Sequence, residues 1–410
     1  MTAHGQIRRF TVGAAVLLVF TACSAGSNGE WYRGNMHTHS LWSDGDAAPE
    51  TVVAWYKENG YDWLSLTDHD VLLQGERWYP ITDDGRLTPA RVQELRETFG
   101  ENRVVTRDAD GVPEMRLKTL EELRNRFEAP GDFLLIEGEE ITDRSEGKPL
   151  HFNVLNPAAF IPTQGGETVN ETVERDLRAV NQQAEQTGRN MLVHLNHPNY
   201  GWALSPEQLA MMEGTHLFEV YNGSTECNNN GDSTHASMDE AWDLANMIRL
   251  TQLDLGPLYG VANDDTHNYF EWAPNRSNPG RGWIMVRAES LSTDAILNSL
   301  RAGDFYSSTG VELKDVQVGP DEYVVKIAAE RGITYTTQFI GTQIAHGIPG
   351  KTGVVLHETT ETTASYSFRG DELYVRAKVI SSRMQVNPVE SEMVPEQAWT
   401  QPVVPETQQQ

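Results

Sequence analysis

The stretch Asn35-Met-His-Thr-His-Ser-Leu-Trp-Ser-Asp-Gly45 sets His37 and His39 two residues apart, with Asp44 shortly after. Trp31 to Met36 reads as a strand running into it. On a strand, residues i and i+2 share a face, so both imidazoles can converge on one point. Two neutral imidazoles and a carboxylate suit zinc, manganese or iron. A single His-x-His arises easily by chance. The question is whether other segments supply ligands at matching places.

They do so in a repeating pattern. Pro49 to Asn59 reads as a helix, with Pro near its start and Gly60 past its end. Tyr61 to Leu66 reads as a strand ending in Thr67-Asp-His-Asp70, and Asp132 to Ile136 as one ending in Glu137-Gly-Glu-Glu140. His151 to Leu155 is a further short strand. Met191 to Leu195 leads into Asn196-His-Pro198, Leu217 to Tyr221 into Asn222-Gly223, and Leu258 to Ala262 into Asn263-Asp-Asp-Thr-His267. Helical segments at 168–187, 205–213, 237–248 and 292–301 separate the later strands. Alternating strands and helices predict a mostly parallel sheet. Polar clusters at successive strand ends predict an α/β fold of (β/α) barrel type, with the site at the C-terminal mouth.

The polar endings give nine candidate metal ligands: His37, His39, Asp44, His69, Glu140, His151, His197, Asp265 and His267. A lone histidine is most simply a hydrogen-bonding residue. That reading fails for the set, because six of the twelve histidines fall at strand ends. His37/His39 and Asp265/His267 also repeat the i, i+2 spacing. Glu139 competes with Glu140 on residue type alone. Asp68 and Asp70 flank His69 and are candidates to orient imidazoles. His194 reads as a core or supporting residue. Arg33, Arg144, Lys148 and Arg281 lie near these segments, but none stands out as an anion clamp.

As a set, His37-Thr-His-Ser-Leu-Trp-Ser-Asp-Gly45, Thr67-Asp-His-Asp70, Gly138-Glu-Glu-Ile-Thr142, His151, His197-Pro198 and Asp265-Thr-His267 resemble the PHP (polymerase and histidinol phosphatase) family of metal-dependent phosphoesterases. The resemblance implies a distorted seven-stranded (β/α) barrel, TIM-like, over residues 30–310. It implies Glu140 rather than Glu139 as ligand, and two or three divalent ions (Mn, Zn, Fe or Mg). One ion would take His37, His39, Glu140 and Asp265. A second would share Glu140 with His151 and His197, and a third would take Asp44, His69 and His267. The implied reaction is hydrolysis of a small phosphate ester by a metal-activated water. Two alternatives stay open: a metallohydrolase of the same barrel acting on an amide or other ester, and a cell-surface binding lipoprotein with structural metals.

The remaining segments set the context. Residues 1–22 read as a signal peptide: Arg8-Arg9, an apolar run from Phe10 to Phe20, then Thr21-Ala22-Cys23. Its ending resembles a bacterial lipoprotein signal, which makes Cys23 the lipidated residue and the protein exported, periplasmic or cell-surface. Membrane attachment is then through the lipid anchor only. Residues 71–131 form an insertion with two helices and otherwise loop, emerging on the ligand side as a lid or specificity element. Residues 311–385 are β-rich, and 386–410 form a Pro-, Gln- and Glu-rich tail, its last dozen residues unstructured. Cys227 is a loop thiol without a CxxC partner. With 59 acidic against 32 basic residues, the formal charge is −27. Such a field repels nucleic acid and anionic lipid head groups, while a local metal-rich pocket can still hold the small phosphorylated substrate that the resemblance implies.

Overall fold

The computed structural model describes residues 29–389 and 393–405. Residues 1–22, read above as a signal peptide, and Cys23 lie outside the described residues. Eight strands build the body: β1 (Glu30–Asn35), β2 (Trp63–Leu66), β3 (Leu134–Ser145), β4 (Lys148–Leu155), β5 (Leu192–Leu195), β6 (Leu217–Asn222), β7 (Tyr259–Asn263) and β8 (Trp283–Ala288). They lie in one mixed sheet, in the order β7-β6-β5-β4-β3-β2-β1-β8.

This differs from a closed barrel of parallel strands in two ways. The sheet is an open path, because β1 spends one edge on β2 and the other on β8, which pairs antiparallel from Glu30↔Ala288 to Gly34↔Ile284. No edge is left for β7 along the length of β1. The two meet only past their ends, through a single parallel bridge at Thr38↔Thr266. Second, β4 runs against both neighbours. Glu146 and Gly147, with φ of 53° and 78°, turn β3 directly back into β4. Two consecutive left-handed residues make the tight hairpin turn that suits twisted strands, so no crossover helix intervenes. Glu140 and Thr142 consequently sit within a long strand, not after it.

Inside the arc, Met36, Trp63, Ile136, Leu155, Leu192, Leu217, Val261 and Ile284 form one apolar cluster. Ile296, Leu297 and Leu300 of the helix Thr293–Ala302 belong to the same cluster. That helix follows the end of β8, beside the start of β1, and so packs away from the ligand-bearing ends. Outside the arc, the helix Val169–Thr187 and the helix Met238–Ile248 cover one side. Thr168 and Ser237 cap these two helices by accepting from Glu171 N and Glu240 N. The helix Pro49–Glu58 and the helices of residues 71–131 cover the other.

The insertion contains more than helices and loop. Trp78–Pro80, Thr106–Ala109 and Val112–Arg116 form a three-stranded antiparallel sheet. It docks on the loop that follows β1: Trp42 Nε1 donates to Lys118 O at 2.8 Å, and Arg91 Nη1 to Asp46 O at 3.1 Å. Arg86 Nη1 also reaches Ser43 O at 3.4 Å.

The C-terminal strands continue the main sheet beyond β8. Pro395–Thr400, in the segment read as a tail, lies between Phe305–Ser308 and Glu372–Met384. Ala398 and Trp399 are buried there, and this burial orders a segment whose composition reads as solvent-exposed. Arg376 fastens the addition to the body through Asp243 of the helix Met238–Ile248, at 2.8 and 2.7 Å.

Candidate metal centre

The bridge at Thr38↔Thr266 organises the site. His39 N donates to Thr266 O and Asp265 N to His37 O, each at 3.0 Å. Both i, i+2 pairs are thereby carried to one spot. Asp265 takes a left-handed backbone, φ 49°, a conformation that costs a non-glycine residue on the order of 1–2 kcal/mol. Met36 N is met by Asn263 Oδ1, and Asn35 Nδ2 donates to Gly282 O, so the joint is tied on both sides.

All nine candidate ligands come together. His37 Nε2 lies 3.5 Å from Glu140 Oε2 and 3.2 Å from Asp265 Oδ1. His39 Nε2 lies 3.3 Å and 3.1 Å from the same two oxygens. His151 Nδ1 is 3.0 Å from Glu140 Oε1, and His197 Nε2 is 3.8 Å from it. Asp44 Oδ1 faces His267 Nε2 at 3.2 Å, His69 Nε2 at 3.6 Å and His39 Nδ1 at 3.7 Å.

The grouping departs from the one that the resemblance implies. His39 stands between two sets: its Nε2 faces Glu140 and Asp265, while its Nδ1 faces Asp44. Its ring is stacked between those of His69 and His267, at 4.4 and 4.2 Å. His69 also approaches Glu140 Oε2, at 3.0 Å. His197 groups with His37 and Asp265 as well as with Glu140.

Charge decides the protonation of these groups. Burial alone pushes the Glu140 and Asp265 carboxyls up, but imidazoles hold both well below the usual range, His69 and His37 for Glu140, His37 and His39 for Asp265. Burial, with His267 and His69 beside it, holds the His39 pKa at about 4. Burial also pulls His69 and His267 down, yet Glu140 and Asp44 raise His69, and Asp44 and Asp265 raise His267, each to about 9. The carboxylates that keep protons on these rings would also attract a divalent cation, and His69 and His267 would give up their protons to serve as its ligands.

Asp68 and Asp70 differ from their sequence reading as residues that orient imidazoles, whereas Glu139, His194 and the nearby arginines keep theirs. Asp68 accepts from Ser40 N, Ser40 Oγ and Ser43 Oγ, so it shapes the loop carrying Asp44 and does not orient an imidazole. Asp70 accepts from Thr142 N. Thr142 Oγ1, not Asp70, meets His69 Nδ1, at 2.7 Å. Glu139 points away from the centre and accepts from Ile161 N. His194 is fully buried, its Nε2 3.5 Å from Met36 O. Arg281 is spent on backbone carbonyls, including Gly223 O at 2.8 Å. The guanidinium of Arg33 lies over the Trp283 and Tyr61 rings.

Sequence reasoning missed Glu219. It sits in Leu217-Phe-Glu-Val-Tyr221, read as an apolar strand, and its Oε1 lies 2.7 Å from His37 Nδ1. Its signal was the charge itself, in the middle of a run that is otherwise buried and apolar. Asn196 has no role in the sequence reading beyond preceding His197, yet its Nδ2 donates to Glu140 Oε1 at 2.8 Å. Tyr200 was not singled out. Its ring packs edge-on against His197 at the rim, at 5.3 Å.

No family model matches the chain, and no curated protein matches it. Several solved structures align with it, among them these two. One is a two-domain protein from Bacteroides vulgatus containing a predicted PHP-like metal-dependent phosphoesterase. It is 16% identical, over 95% of this chain and 99% of that one, with a TM-score of 0.41. The other is a protein from Bifidobacterium adolescentis, provisionally described as a metal-dependent phosphoesterase. It is 14% identical, over 57% of this chain and 87% of that one, with a TM-score of 0.28.

The chain is similar to both proteins. Whether its site fits metal ions follows from its own geometry. An ion with four ligands at zinc–nitrogen and zinc–oxygen distances has ligand–ligand edges of about 3.3 Å. His37 Nε2, His39 Nε2, Glu140 Oε2 and Asp265 Oδ1 give four of the six edges, at 3.1 to 3.5 Å; within reach of one ion, His37 and His39 group with Glu140, and Asp265 groups with His37 and His197. Glu140 Oε2 and His39 Nδ1 are buried with no well-directed hydrogen bond, and the polar atoms beside them, His69 Nδ1 at 3.0 Å and Asp44 Oδ1 at 3.7 Å, belong to other candidate ligands. Their donor types, imidazole nitrogen and carboxylate oxygen, suit divalent transition ions.

Proposed function

We propose that this protein is an exported, lipid-anchored, metal-dependent phosphoesterase acting on a small phosphate ester. The observation that carries the chemistry is the four-edged set of His37, His39, Glu140 and Asp265, with further donors on both sides of it. Around Glu140, His151 and His197 would hold a second ion. Asp44, His69 and His267 would hold a third. Their side chains are 43%, 24% and 23% exposed, so this end of the centre meets solvent and substrate.

When bound, such ions supply Lewis acidity toward phosphoryl oxygens and water of lowered pKa. The chain's own groups do the rest. Glu140 and Asp265 remain anionic and keep the net charge of the centre low. Asn196 and Thr142 fix Glu140 and His69 by hydrogen bonds. The apolar cluster beneath the centre excludes bulk water from the closed end of the arc. A nucleophilic side chain is not required, and the acidic surface makes nucleic acid an unfavourable partner.

The test is reconstitution. The mature protein is reloaded with manganese or zinc and assayed against phosphomonoesters, phosphodiesters and amides. Turnover confined to phosphate esters supports the proposal. Turnover of amides alone would favour the other metallohydrolase reading, and metal uptake with no turnover of any ester would favour the binding-protein reading.

A further inference from the structure

We infer that Glu219 is a positioning residue for the metal centre, fixing His37 with its proton on Nδ1 so that Nε2 is free to bind an ion. The inference rests on the metal reading above and concerns a residue outside the nine ligands. Glu219 is 1% exposed on β6, between buried Phe218 and Val220. Removing a carboxylate from water costs several kcal/mol, and a well-packed apolar residue is often at least as stable in such a place. A buried charge here therefore calls for a reason other than stability.

Its contacts supply one. Oε1 takes His37 Nδ1 at 2.7 Å and Asn263 Nδ2 at 2.9 Å. Oε2 takes the His197 backbone N at 2.8 Å and Asn222 Nδ2 at 2.7 Å. That same Asn222 Nδ2 also reaches Asp265 Oδ2 at 3.1 Å. One carboxylate thus touches His37 directly, the His197 segment through its backbone, and Asp265 through one amide. These three residues approach one another as a single ligand group. Carboxylates on the far nitrogen of a ligating histidine set its tautomer, orientation and basicity.

The pattern also predicts which substitution fails. The backbone N–H of His197 and both asparagine amides are donors, and His37 must be one too for Nε2 to bind. A glutamine at 219 would turn its own N–H groups toward two of them. Glu219→Gln keeps size and removes the arrangement.

The experiment is a cobalt(II) titration of the metal-free full chain, beside Glu219→Gln, read by visible absorption and by circular dichroism. The expected result is a folded variant whose tightest cobalt site is weakened about 10- to 100-fold, with an altered ligand-field spectrum. A folded variant with wild-type affinity and spectrum overturns the inference. A second readout needs no variant: nitrogen NMR of the zinc-loaded wild type should show His37 protonated at Nδ1, with an unprotonated Nε2 bound to zinc. The reverse tautomer overturns the inference even if Glu219→Gln fails to fold. A wild type that takes up no cobalt overturns the metal reading itself, and this inference with it, so the two failures are told apart.

Discussion

Thr38 and Thr266 face each other across one parallel bridge, and each is flanked by two candidate ligands: His37 and His39 on one side, Asp265 and His267 on the other. That bridge is where two distant segments become one site. The i, i+2 spacing matters because both pairs bracket the same joint. It also explains how an open sheet can gather ligands from many strand ends. The ends of β1 and β7 meet without the strands themselves pairing.

Close packing beside Glu140 gives a first prediction. A Cβ on Gly138 would lie 2.3 Å from Ser65 Oγ and 2.8 Å from Leu66 O. Gly138→Ala should therefore push β3 from β2 and lower stability by about 1–3 kcal/mol. Urea denaturation measures this. A variant as stable as the parent would show that β3 gives way freely at this point.

The solvent-facing end of the centre should be separable from the buried end. Asp44→Asn weakens the group completed by His69 and His267 but leaves His37, His39, Glu140 and Asp265 intact. Elemental analysis should show a loss of about one ion per folded chain. An unchanged count, or loss of all metal, would argue against separate groups.

Asp176 gives the pH dependence. It accepts from Gln164 N and lies beside Asp143, and burial raises its pKa to about 7, with Asp143 adding to the effect. Its folded pKa exceeds its unfolded one, so the folded state binds the extra proton. Its contribution is complete below about pH 4, the ordinary carboxyl value. It declines as pH rises through about 7, at up to roughly 1.4 kcal/mol per pH unit. Asp176→Asn should flatten that part of the curve of unfolding free energy against pH, measured by urea denaturation. A slope unchanged between pH 5 and 8 in the variant, within about 0.3 kcal/mol per unit, would exclude Asp176 as its source.

Arg376 tests the joint between the body and the added sheet. Both it and Asp243 are buried, and Tyr374 Oη also donates to Asp243, at 2.8 Å. Arg376→Ala leaves Asp243 without its cation and should cost about 3–5 kcal/mol. A loss under about 1 kcal/mol, the range of an exposed pair, would mean that water reaches the joint.

Much of the site was legible because ligand chemistry is written in residue type and in spacing at strand ends. Seven of the nine could be gathered from His-x-His, Asp-x-His and isolated histidines without knowing the sheet; Asp44 was found by its place just after His-x-His, and Glu140 was preferred to Glu139 only by the family resemblance. The insertion's helices were legible from their apolar periodicity and caps. Strand direction was not: the turn at Glu146-Gly147 reverses the chain, but a Glu-Gly pair is a weak turn signal beside Asn-Gly. Closure was not legible either, since the competition between β7 and β8 for one edge of β1 is settled by tertiary packing. Glu219 was hidden by its apolar neighbours, and its role shows only when His37 lies 2.7 Å away. Pro395–Thr400 was hidden by composition, because its ordering comes from strands far away in the chain.

The most direct measurement is the number of ions bound per folded chain after reloading with manganese or zinc, in the parent and in a His37→Ala/Asp265→Ala double variant. A multinuclear centre predicts about two or three ions in the parent and at least one fewer in the variant. Fewer than about two ions in the parent, or equal counts in both proteins, would contradict it.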